Sequence, residues 1–444
     1  MSDNPDTGVL FVERFVADTL LTMADESAGV VSPGAVDIEA GRVVWSGPAS
    51  EAPPHPDITT HHVHGVLMPG MVDIHCHTPM VLLRGAGEGL PVDRWLHEVM
   101  WPREAKLTPD DVRAGMRAGA AELLSNGITT TVEMYFHGQA VAEGAADVGL
   151  RTVVTAPVIE DEQLSAFGPW QSQLEEMEAM AQRWAGHDLV EVGLGPHAVW
   201  SVSEACMQRM SEVAAASGML VHIHVAEQEW EDAAVREKTG MSAPAYLEAV
   251  GLLDGRALAA HGVWLSDDDM AIFGRHGTAV AHCPCSNSKH ASGIARVPEM
   301  KAAGIPIGIA TDGPASHHRL DLFEEMRTAM RLARIRTGDA QTLTHHQALW
   351  MTTAGAAGAI GRPDLGRLTA GARADMIAVN APSMHPTIDS EDDPVARVVF
   401  GGTPQAVTDV WVGGEPVIAD HRLLTVDHSE VLTELDQRAT RLTR

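Results

Sequence analysis

The sequence predicts an α/β protein: a (β/α)8 barrel of the TIM type, joined to a small β-sandwich built from the N- and C-terminal segments. Three observations predict it. From His75 to about residue 355, brief apolar runs alternate with helix-patterned stretches, and eight such runs can be counted. That rhythm belongs to a parallel sheet whose strands are covered by helices. Six of the eight runs stop at a histidine or an aspartate. Both ends of the chain change to short alternating segments, which suit a half-exposed sheet.

The elements follow in order. Residues 9–67 read as short strands: Val9–Glu13, then Ala35–Glu39 turning at Ala40-Gly41 into Arg42–Ser46, then a His-rich strand at His61–Val66. Pro69-Gly70 punctuates the chain, and the first barrel strand, Val72–His75, begins there. Thr108-Pro109 with acids behind it opens a helix that runs to Leu124 and closes at Asn126-Gly127. The remaining barrel strands are expected at Ile128–Val132, Arg151–Ala156, Val190–Leu194, Leu220–Val225, Ala257–Ala260, Thr278–Ala281 and Ile307–Ala310. After Gly371 come Asp375–Val379, Val407–Val412, a hairpin at Gly413-Gly414, and a terminal helix beyond Asp427. The expected division is residues 1–68 for the first part of the sandwich, 69–370 for the barrel, and 371–444 for the rest of the sandwich with the helix.

Composition narrows the partners. The 444 residues carry 31 basic and 60 acidic side chains, a formal charge of −29. Neither nucleic acid nor an anionic membrane would be drawn to such a surface, so a small-molecule substrate is the expectation, together with a homo-oligomeric assembly. Four cysteines, Cys76, Cys206, Cys283 and Cys285, are too few and scattered for a disulfide framework and read as buried thiols in a reducing compartment. The opening Met1–Asp6 is polar and acidic, and no run of 18 apolar residues occurs, so a cytoplasmic protein is expected.

The chemistry gathers where strands stop. His75 and His77 end the first strand, and residues i and i+2 of a strand share one face, so two imidazoles can grip one ion. His197, His224, His261, His282 and Asp312 end or follow later strands. Active sites of such barrels collect at these C-terminal ends. Three or four histidines and a carboxylate suit a borderline divalent ion, Zn²⁺ or Fe²⁺, with one position left for water. Glu227, three residues past His224, leaves the strand on the loop above this group and could relay a proton. The other reading of Glu227 is an acid stabilised by a helix N-terminus.

Pro69-Gly-Met-Val-Asp-Ile-His-Cys-His77, His224-Val-Ala-Glu227, His261 and Thr311-Asp-Gly-Pro-Ala-Ser316 together resemble the amidohydrolase superfamily, in its one-metal deaminase branch. The resemblance implies one divalent ion, zinc or iron, held by His75, His77, His224 and Asp312. It implies that Glu227 shuttles the proton, and that His261 and Asp312 orient and deprotonate the hydrolytic water. No lysine lies between Lys106 and Lys238 to bridge a second ion as many two-metal members do. Leu83-Arg-Gly85, Trp95-Leu96, Pro102-Arg-Glu104, Met134-Tyr-Phe-His137, Gly195-Pro-His197 and Ser286-Asn-x-Lys-x-x-Ser-Gly293 look like the 5-methylthioadenosine/S-adenosylhomocysteine deaminases. By that likeness Trp95 packs against a nucleoside, Glu104 accepts from ribose hydroxyls, His197 lies against the substrate, and Ser316 sits in the substrate-side loop.

The expected activity is therefore release of ammonia from a 6-aminopurine nucleoside. One departure bears on the substrate: Val158–Leu189, where relatives hold a homocysteine carboxylate with arginines, has a single basic residue, Arg183. His282-Cys-Pro-Cys285 departs at a position expected to line the pocket. The alternatives are a deaminase of a free purine base or pterin, a triazine chlorohydrolase-like hydrolase, and a metal-binding barrel without turnover. Glu227 speaks for a deaminase, since ammonia needs a delivered proton and halide does not.

Overall fold

The computed structural model describes residues 12–380 and 393–443. Its barrel strands lie on the apolar runs: β1 (Met71–Cys76), β2 (Ile128–Glu133), β3 (Arg151–Val154), β4 (Val190–Val192), β5 (Val221–Val225), β6 (Ala257–His261), β7 (Ala279–His282) and β8 (Ile307–Ile309). They form two parallel four-stranded sheets, in the orders β4-β3-β2-β1 and β5-β6-β7-β8. Backbone contacts join the halves. Leu194, just past β4, bridges Val221 of β5 in parallel. The Asp312 amide beyond β8 donates to the His75 carbonyl of β1 over 2.9 Å. The eight strands thereby close into a (β/α)8 barrel.

Helix boundaries follow local chemistry. Thr108 caps Pro109–Ser125 through a reciprocal box with Asp111, and Pro109 takes the first position, where an amide would be unpaired anyway. Asp111 is fully buried and also holds Arg438 (3.2 Å) and Arg441, both on the terminal helix His428–Thr443. That helix is thereby fastened to the outside of the barrel. No helix among the described residues is long and apolar enough to cross a membrane.

The terminal segments pair with each other, as expected, and form one continuous nine-stranded sheet. Its seam is Met376–Val379 running antiparallel to Thr59–Pro69, with Met376 opposite Pro69 and Val379 opposite Val66. The sheet curls over its own core. Phe15 and Trp411, on strands with two others between them, bring their rings to 5.2 Å. One edge folds back onto residues 371–374, the lead-in to Met376–Val379: the Val43 amide donates to the Ala372 carbonyl and the Ala374 amide to the Gly41 carbonyl, each over 2.9 Å.

The strand expected at Val9–Glu13 falls largely outside the described residues; the described strand is Glu13–Leu21. It is central, flanked by Thr59–Pro69 and Gly34–Glu39, and its register shifts between Ala17 and Thr19. A central strand with a bulge loses the clean alternation that marks a half-exposed strand in a sequence.

Candidate active site

The chain turns sharply at the barrel mouth. Ala226, His261 and Asp312 have φ of +52°, +74° and +60°, left-handed values that cost a non-glycine residue about 1–3 kcal/mol. These turns follow or end β5, β6 and β8, where the polar side chains gather. Gly313 answers a different demand. A Cβ there would stand 2.6 Å from Met80 Sδ and 3.1 Å from His77 Cβ, so glycine lets the Asp312 loop approach His77 without displacing either side chain.

Hydrogen bonds decide which histidine nitrogens are free. His75 Nδ1 lies 2.8 Å from His222 Nε2, His222 Nδ1 lies 2.8 Å from Thr155 Oγ1, and that hydroxyl donates to the Glu133 carbonyl over 3.1 Å. A carbonyl only accepts. The Thr155 hydrogen is therefore spent, His222 Nδ1–H donates to Thr155, and His75 Nδ1–H donates to His222. His75 Nε2 is left with its lone pair, fully buried and without a partner. His77 Nδ1 donates likewise to the Met134 carbonyl, and His224 Nδ1 to the His197 carbonyl at 2.9 Å.

Three bare Nε2 atoms thus converge. Those of His77 and His224 are 3.4 Å apart, a distance at which two lone pairs repel unless a cation stands between them. Asp312 Oδ1 lies 3.3 Å from His77 Nε2 and 3.6 Å from His75 Nε2. Burial holds His75 down at about 3 and takes His224 well below its ordinary value, so both are in the neutral, ligating form. Burial works to raise Asp312. The imidazoles of His75, His77 and His261 around it outweigh that burial and keep the carboxyl well below its usual range. The Ser286 hydroxyl donates to Oδ2 of the same group over 2.5 Å. Three imidazoles and a carboxylate with one orphaned nitrogen fit a single divalent ion.

Glu227 and His261 face one another beside this cluster, with Glu227 Oε2 3.7 Å from His261 Nε2. The amide oxygen of Asn287 accepts from His261 Nδ1 at 3.0 Å, which turns Nε2 inward. The helix here is Glu229–Thr239, capped by Gln228 in a reciprocal box with Glu231. The helix-terminus acid is Glu231, and Glu227 lies ahead of the cap on the loop. Burial and the nearby Glu227 charge raise Glu231 to about 8.

A cleft of about 770 Å³, partly open to solvent, lies over the cluster. Trp95, Glu104, His197, Glu227, His261, Asp312 and Ser316 all line it, beside His77 and His224, while His75 forms the floor beneath. Glu104 is buried with Oε1 unpartnered, and burial raises its carboxyl to about 7. Trp95 donates through Nε1 to the Ala86 carbonyl and sets its ring 4.9 Å from that of His290. Two expectations fail. His282 ends β7 but stays buried outside both the cluster and the cleft lining, and Cys285 does not line the cleft but faces His317 and Glu325. Both residues sit where the chain turns into the helix Pro284–Lys289, whose first turn carries Cys285 away from the mouth.

Several lining residues carry no local signature: Trp101, Trp200, Trp230, Glu231 and His290. The supporting His222 did carry one, since His222-Ile-His224 repeats the i, i+2 spacing of His75 and His77.

A (β/α)8 barrel with three bare imidazole nitrogens and a carboxylate at its C-terminal mouth defines a metal-dependent hydrolase. The chain belongs to the amidohydrolase family, whose profile matches residues 66–417. It is 36% identical to a 5-methylthioadenosine/S-adenosylhomocysteine deaminase of Moorella thermoacetica, over 94% of this chain and 97% of that one. It is 35% identical to a 5'-deoxyadenosine deaminase of Methanopyrus kandleri, over 85% and 87%. Its fold overlays an adenosine deaminase from Xanthomonas campestris with bound zinc at a TM-score of 0.90 and 28% identity, covering 97% of this chain and 98% of the other.

Proposed function

We propose that the protein deaminates 6-aminopurine nucleosides hydrolytically, replacing the C6 amino group with oxygen and releasing ammonia. The observation that carries this reading is one space shared by three features. They are the His–Asp cluster, Glu227 beside His261, and the unpartnered buried carboxyl oxygen of Glu104. The names of the three relatives above support it.

One divalent ion, zinc by preference and iron as the alternative, is assigned to His75, His77, His224 and Asp312; when bound, it supplies the Lewis acidity that makes water nucleophilic near neutral pH. The remaining steps belong to side chains. Asp312 and His261 orient the attacking water and accept its proton. Glu227 delivers one proton through Oε2 to the ring nitrogen beside C6, where it stays in the product. The proton that Asp312 and His261 took from the water passes to the departing amine, and the proton of the new C6 hydroxyl returns to Glu227. Glu104 accepts from the ribose diol, Trp95 packs on the nucleoside, and His197 and Ser316 bound the opposite wall. His197 Nδ1 is engaged with Ser201 Oγ at 2.8 Å, which leaves Nε2 for the cleft.

Among the described residues, the cleft lining holds Glu104, Glu227, Glu231 and Asp312 but no lysine or arginine. A homocysteine carboxylate would meet like charge without a partner, so neutral nucleosides such as adenosine, 5'-deoxyadenosine and 5-methylthioadenosine are the preferred class. The test is ammonia release across these nucleosides, S-adenosylhomocysteine, adenine and a pterin. Turnover of the neutral nucleosides above the free bases supports the assignment. Turnover of a free base or pterin alone overturns it.

A further inference from the structure

A second group of metal-ligating side chains stands behind the cleft wall. We propose that Cys285 Sγ, His317 Nε2 and Glu325 Oε1 bind a second, thiophilic divalent ion such as Zn²⁺ at a structural site separate from the catalytic centre. The three ligand atoms all lie within 4.8 Å of one another. His317 Nε2 and Glu325 Oε1 are 3.3 Å apart on side chains that are 4% and 0% exposed. A tetrahedral ion with bonds of about 2.0–2.1 Å to nitrogen and oxygen holds such a pair at about this separation.

The donor atoms are prepared as ligands. Neither His317 Nε2 nor Glu325 Oε1 has a hydrogen-bond partner, and a buried polar atom left so costs about 1–3 kcal/mol. The unpartnered His317 Nε2 is turned to Glu325. The other Glu325 oxygen, Oε2, accepts the Cys285 amide at 3.0 Å and so aims Oε1 at the histidine. Cys285 is only partly buried, which gives the ion a way in, and its thiol donates to Thr328 Oγ1 at 3.4 Å. Burial, with Glu325 beside it, holds the thiol far above the ordinary cysteine range. A cation would supply the missing counter-charge. A thiolate among the donors selects zinc-like ions over magnesium or calcium.

The ligands come from three elements, Pro284–Lys289, Pro314–His317 and Leu322–Thr337. Ser286 on the first donates to Asp312, and Ser316 on the second lines the cleft. An ion here would tie together the two segments that position Asp312 and the substrate wall.

The experiment counts zinc in the full-length protein after loading and desalting. Wild type should hold two equivalents. Cys285→Ser and His317→Gln should each hold one, while His75→Ala should hold one and lose nucleoside turnover. Cobalt-loaded His75→Ala should show a thiolate-to-metal charge-transfer band, absent once Cys285→Ser is added. Unchanged zinc in Cys285→Ser, or cobalt-loaded His75→Ala without a thiolate band, overturns the site. The cobalt spectrum decides the matter even if the Cys285 variant fails to fold.

Discussion

His75 Nδ1 stands 2.8 Å from His222 Nε2, and this contact fixes which nitrogen of His75 is free. Replacing His222 with leucine removes the acceptor, so the His75 ring can turn or change tautomer. Loss of such a supporting partner typically weakens metal binding by about 10–100-fold. Competition with a chelator should register that drop in His222→Leu. Thr155→Val acts one hydrogen bond further out and should show a smaller loss of the same sign.

Glu227 is tested by a change that keeps its shape. Glu227→Gln can still accept a hydrogen bond but cannot carry a proton. With nucleoside substrate kcat should fall by at least roughly 10²-fold, while the catalytic ion remains bound by elemental analysis. Near-normal turnover would assign Glu227 to the loop's structure alone.

Stability has its own buried link. Arg151 on β3 and Asp375 at the start of the terminal sheet are each 2% exposed and share two bonds, of 2.8 and 2.9 Å. Asp375 also accepts the Gly413 amide at 2.7 Å. Asp375→Ala strands the guanidinium in the interior between barrel and sheet. Breaking one side of a buried pair costs about 3–5 kcal/mol, which denaturant titration of the variant should reproduce.

The barrel was legible because parallel strands are apolar on both faces and stop at polar residues, so Ile128–Val132 or Ala257–Ala260 stand out against their surroundings. The His-x-His pair and the strand-end histidines announced the cluster for the same reason. Long-range partners were not legible. Thr155 reaches His222 across 67 residues, and nothing around either names the other. His222 and His224 look alike as letters, yet one supports and the other offers a bare nitrogen. Cys285 was misplaced because a residue in the first turn of a helix points according to packing, which spacing alone does not encode.

The last prediction concerns Glu104, which ties the substrate to pH. Its carboxyl is buried, one oxygen has no partner, and burial raises it to about 7 from an ordinary value near 4.5. A ribose diol offers two donors, and the ionised carboxylate accepts both, whereas the protonated form spends one oxygen as a donor. The sign follows: below pH 7 Glu104 is protonated and binds the diol less well, and above it the acceptor is complete. Because kcat/KM reports groups of the free enzyme, its value for adenosine should rise through about pH 7. Glu104→Gln should remove that component and leave whatever other groups contribute. The same change should raise KM for nucleosides by the equivalent of about 1–3 kcal/mol and leave adenine, which has no diol, little affected. Equal losses for nucleoside and base, or an unchanged pH profile in Glu104→Gln, would move ribose recognition to another residue of the cleft.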